Sequence, residues 1–192
     1  MLQTNNQFYK LILMFILVLL IPAAIADVQV IIGAQSTVLM IIEAVVMIVS
    51  LISAFVYILK GYSKNMAKVY KVFMYSFLLA EVLGLIASLT IDIATGALPI
   101  ILGAIIIIAI ALLAFIKDFG KTNSFITAAV LLAASFVSYF TGAGAHPGVV
   151  RGGEDIINTS IGLLQSTTVL LSFVVGFLVI AKYVDKTARG TK

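Results

Sequence analysis

The chain has 192 residues, of which 62% are hydrophobic and only 10% charged, and its mean hydropathy is +1.22. A soluble domain carries about 25% charged residues, so this composition excludes a water-covered globule and reads as an integral membrane protein. There is no cysteine and no tryptophan, and His146 is the single histidine, which excludes disulfides, thiolate metal sites, cysteine catalysis and haem or copper sites built on several histidines. The net charge of +4 does not point to nucleic acid, because the lysines sit in short clusters between apolar runs, as membrane topology requires.

About 20 apolar residues cross the hydrocarbon core as a helix. Six runs qualify or come close, and they predict an all-α, polytopic bundle in a single membrane domain, residues 1–192. The first span is 8–26, with Pro22 near its end. The second, 38–60, carries Glu43. The third, 72–94, carries Glu81 and is followed by TGALP. The fourth, 99–116, opens on Pro99, which suits a first helical turn, and has no polar side chain before Lys117. The fifth is 124–142 and the sixth is 159–184. The alternating ten-residue pattern of a membrane barrel is absent.

Basic residues set the orientation. Lys10 precedes the first span; Lys60, Lys64, Lys68 and Lys71 separate the second and third; Lys117 and Lys121 separate the fourth and fifth; Lys182, Lys186, Arg189 and Lys192 follow the sixth. The other connections carry Asp27, Asp92, and Arg151 with Glu154 and Asp155. Every basic cluster therefore falls on one side, expected to be cytoplasmic, with both termini there and the protein in the cell membrane. The start of the chain has a second reading. A lysine, a short apolar core and Ala24-Ile25-Ala26 form a signal-peptide layout, and cleavage after Ala26 leaves five spans.

LISAFVYILKGYSKN and ALLAFIKDFGKTNS echo one another, as repeated hairpins of transporters do, but apolar composition yields such matches by chance. The polar residues are more informative. On the second span Glu43, Ser50, Ala54 and Tyr57 share one stripe. On the third, Glu81, Gly84, Ser88, Asp92 and Thr95 do the same, and on the sixth Asn158, Gly162, Gln165, Ser172, Gly176 and Tyr183. These three faces are expected to look at one another. Counting from Lys71 puts Glu81 roughly 15 Å deep, and counting from Thr37 puts Glu43 about 9 Å below the outer end. A central acid opposes insertion by about 3 kcal/mol, so each glutamate must face protein or water. Lacking a basic residue within two turns, Glu81 is expected to point into the bundle as a neutral acid. Ala80, Gly84 and Ser88 also form a small-residue ladder that permits close helix approach.

Glu43, Glu81, Ser50, Ser88 and Gln165 are thus the candidate transport or ion-binding residues. No catalytic or metal-ligating set is expected, and no cofactor. The Gly-rich loop 142–160 reads as a solvated connection; it ends on the sequon Asn158-Thr159-Ser160. No nucleotide-binding or hydrolase motif occurs, so the chain is not expected to be an enzyme. The function expected is a small transporter or channel moving an ion or small solute through a polar interior of the second, third and sixth spans. The alternative is a non-catalytic membrane subunit of a secretion, conjugation or respiratory assembly. The layout of residues 1–98, a signal-like start and then a hairpin with a basic cytoplasmic loop, resembles pilin subunits of conjugation and type IV secretion systems, without a specific motif. The expected partners are the bilayer and further copies or other membrane subunits, and no nucleic acid.

Overall fold

The computed structural model describes residues 38–60, 67–91, 97–116, 119–141 and 166–189, together with Phe15, Val18, Leu20, Ile21, Ala24, Ile25, Asp27, Val28, Ile31 and Ile32. The described residues are helical almost throughout. Five helices follow in chain order: α1 (Val38–Lys60), α2 (Ala67–Ile91), α3 (Ala97–Phe115), α4 (Lys121–Thr141) and α5 (Thr167–Arg189). The described residues between 15 and 32 are helical as well.

Three stretches are long and apolar enough to cross a membrane: Val38–Ile58 in α1, Ala67–Ile86 in α2 and Lys121–Phe140 in α4. Ile100–Phe115 and Thr167–Ile180 are shorter apolar stretches. The fold is therefore that of an all-helical membrane protein.

α1 has the bounds expected from its apolar run. α2 begins at Ala67, earlier than the expected 72: Ala67, Lys68 and Lys71 are good helix formers, and the two lysines are exposed. α4 begins at Lys121, directly after Gly120, whose φ of 76° is left-handed. The Gly120 carbonyl accepts both the amide and the hydroxyl of Ser124, at 3.1 and 2.7 Å, so this turn ends one helix direction and starts the next. α5 begins at Thr167, inside the expected span 159–184. Ser166 lies outside the helix and its carbonyl accepts the Leu170 amide at 3.0 Å, the role of a helix cap.

The pairs α1–α2, α2–α3 and α4–α5 run antiparallel. Between α1 and α2, Tyr57 meets Tyr70, Ser50 meets Phe73, and Glu43 meets Gly84, so one number rises as the other falls. Between α2 and α3, Tyr75 stacks on Phe115 and Leu85 abuts Gly103. Between α4 and α5, Leu132 abuts Gly176 and Ser135 bonds Ser172. α3 packs on α4, and α5 touches α1, so the five helices close on themselves.

Inside the ring lies one principal core, with Phe73, Phe77, Met47, Met74, Ile110, Leu131 and Leu171 at its centre. Leu20 of the leading segment belongs to it, with Ala24 packed alongside. Outside, α1 exposes Val38, Ile42, Val45, Val49 and Ile52 at steps of three and four, an apolar face suited to lipid. The fourth span, apolar along its whole length, divides between core and surface. Leu102, Ile106, Ala109 and Ile110 of α3 are buried within the chain, and Ile101, Ile108 and Phe115 face out. Gly103 allows this, since a Cβ there would stand 3.0 Å from Leu85 Cδ1.

Gly120 has open space around its missing side chain, so only backbone strain opposes substitution. Gly120→Ala is expected to cost about 1 kcal/mol and to lower Tm in detergent by about 2–4 °C, whereas Gly120→Asn should be milder because Asn tolerates this region. Equal Tm for the Ala variant and wild type would contradict the left-handed turn.

Candidate functional site

Among the described residues three carboxylates lie in the bundle, one each on the leading segment, α1 and α2. Glu43 is on the buried stripe of α1, together with Ser50, Ala54 and Tyr57, and is only 3% exposed. Its carboxyl group lies on Gly84 of α2: a Cβ built on Gly84 would stand 2.7 Å from Glu43 Oε1 and 3.3 Å from Cδ. Gly84 therefore leaves room for a carboxylate, where the small-residue ladder alone would predict backbone packing. The next rung, Ala80, is fully buried.

Glu81 precedes Gly84 by three residues, hence on the same face of α2. Its Oε1 accepts a hydrogen bond from Thr168 Oγ1 at 2.6 Å. The adjacent Thr167 donates to Asp27 Oδ2 at 3.0 Å, in a buried contact. Ser166, Thr167 and Thr168 are all buried. The first turn of α5 thus starts inside the bundle, and two carboxylates from different parts of the chain meet its hydroxyls. The positive end of the α5 dipole favours negative charge there.

Below this turn, the hydroxyls continue along α5. Ser172 donates to the Thr168 carbonyl at 2.8 Å, Ser172 and Ser135 share a hydrogen bond of 2.8 Å, and Ser135 also reaches the Leu131 carbonyl. Nearer the other end, Ser50 donates to the Phe73 carbonyl at 3.3 Å, an α1–α2 tie within the aromatic group of Tyr57, Tyr70, Phe73 and Phe77.

Of the residues selected from sequence, Glu43 and Glu81 therefore come onto one side of α2, while Ser50 lies two turns from Glu43 in a backbone contact. The side chain of Ser88, and Gln165 entirely, lie outside the described residues, as do Asn158 and Gly162. Asp27, Thr167 and Thr168 were missed. Asp27 read as a loop acid because it follows the apolar run. Thr168 had a usable signal, since it falls between Gln165 and Ser172 at steps of three and four and so lies on the same stripe. Among the described residues, no three His, Cys, Asp or Glu side chains group as a metal site. Comparison of the chain with protein-family models, curated proteins and solved structures finds no match.

The Thr168–Glu81 bond can be read by itself. Interhelical hydrogen bonds in membranes contribute about 0.6 kcal/mol on average and up to about 1.7. Thr168→Val should therefore lower Tm in detergent by a few degrees, and Thr168→Ser should restore it. A Val variant as stable as wild type would show that the bond contributes nothing.

Proposed function

We propose that the chain is a six-span integral membrane protein that moves an ion or small solute through a polar interior, with Glu43 and Glu81 taking the cation or proton. The observation that carries this reading is the placement of Glu43, buried on Gly84, and Glu81, bonded to Thr168, on one side of α2 inside the bundle. A carboxyl at membrane depth opposes insertion by about 3 kcal/mol, and the hydrogen bonds it makes return far less. Serine would serve a purely structural bond at lower cost. Exchange of a proton or cation uses what only the acid supplies. Ser172 and Ser135 extend the polar lining by a further turn. The reading is of a non-enzymatic protein.

Six spans require the leading segment to stay attached. Support comes from its two faces. Leu20, Ala24, Asp27 and Ile31 pack inward at steps of four and three, whereas Phe15, Val18, Ile21, Ile25, Val28 and Ile32 are exposed. The basic clusters favour both termini in the cytoplasm. Single cysteines at Lys64 and Gly148, in a chain with no native cysteine, should label from opposite sides of the membrane, and the intact mass should include residues 1–26. Same-side labelling, or loss of those residues, would remove the six-span arrangement.

The function is tested in liposomes. Proton or Na⁺ flux driven by a K⁺ diffusion potential should be present in wild type and abolished in Glu81→Gln, which keeps the shape and most hydrogen bonds but cannot exchange a proton. A folded wild type with no flux, and a Glu81→Gln variant unchanged or slightly stabilised, would instead favour a non-catalytic subunit of a larger assembly.

A further inference from the structure

We infer that Gly84 is a positioning residue: its missing side chain seats the Glu43 carboxyl on the backbone of α2, one turn from Glu81, so that the two acids work together. This rests on the proposed role of the two glutamates and adds a third residue that touches no ion.

Among the described helical glycines the surroundings differ in kind. Gly103 and Gly176 face leucine methyl groups, at 3.0 and 3.1 Å from a built Cβ. Those are ordinary close packings of one helix on another. Gly84 faces all three terminal atoms of a carboxyl group, Oε1 at 2.7 Å, Cδ at 3.3 Å and Oε2 at 3.7 Å. The carboxyl lies over the backbone, where a Cα–H can make a weak contact to oxygen. Glu43 is buried on α1, so its reach toward α2 is limited by what stands at position 84. Glu81 is on the same face, about 5–6 Å along the helix between Cβ positions.

Substitution therefore separates positioning from packing. A methyl group at 84 collides with the far end of a flexible side chain. Glu43 can swing away at small cost while the helices stay in place, and alanine is itself favoured over glycine in a helix by about 0.5–1 kcal/mol. Were Gly84 needed only for close helix approach, the same methyl group would force the backbones apart and lower stability. The acids near this point are Glu43 of α1, Glu81 of α2 and Asp27 of the leading segment, the last bonded to Thr167. Lys68, Lys71 and Lys121 are exposed at the starts of α2 and α4.

The experiment has two arms. In liposomes, Gly84→Ala should reduce proton flux by about 10–100-fold, the effect of a displacement near 1 Å on a positioned group, with Tm in detergent equal to or above wild type. On a Glu43→Ala background the same change should have no further effect on residual flux, because no carboxyl remains to be displaced. In infrared spectra of the purified protein, the carboxyl bands assigned to Glu43 by their loss in Glu43→Gln should move in Gly84→Ala. Wild-type flux with unmoved bands, a clear fall in Tm, or a full effect on the Glu43→Ala background would each overturn the inference. If wild type conducts neither protons nor Na⁺, the transport reading fails, and the infrared arm still decides whether Gly84 positions Glu43.

Discussion

A carboxylate inside an apolar bundle must find its partners within the protein, and this constraint organises the structure around α2. Glu81 takes a hydroxyl from the first turn of α5, and Glu43 crosses from α1 to lie on Gly84. Asp27 takes the neighbouring hydroxyl of the same turn. In water each group would be satisfied by solvent at no cost to the fold. In hydrocarbon an unsatisfied polar group costs several kcal/mol, so the helices that supply partners are held to particular registers. The ring of helices is thus specified by polar contacts as well as by the packing of Phe73, Phe77, Leu131 and Leu171.

The placement of α5 follows from the same need. α5 begins at Thr167, and the hydroxyls of its first turn meet acids, Thr167 on Asp27 and Thr168 on Glu81, while the Ser166 carbonyl accepts the Leu170 amide. Helix starts buried at membrane depth are tolerated where they line protein interior.

Much of the fold was legible in the sequence because hydropathy and helix length speak directly to it. The bounds of α1 and the buried stripe from Glu43 to Tyr57 follow from a period of 3.6 residues. What periodicity does not carry is which neighbour a stripe meets. Gly84 read as part of a packing ladder, since nothing local distinguishes a glycine facing a leucine from one facing a carboxyl on another helix. Asp27 read as a loop residue because it follows an apolar run, although a contact to Thr167, 140 positions away, buries it.

The adjacency of Thr167 and Thr168 has a mechanical consequence. Successive residues of a helix with 3.6 residues per turn point about 100° apart, so the two hydroxyls reach different walls of the bundle, one toward the leading segment and one toward α2. Two tethers at that angle fix the azimuth of α5. Spinning the helix about its own axis would break both at once. The first turn thus sets which face of α5 meets the core, where Leu171, Val174 and Val175 are buried.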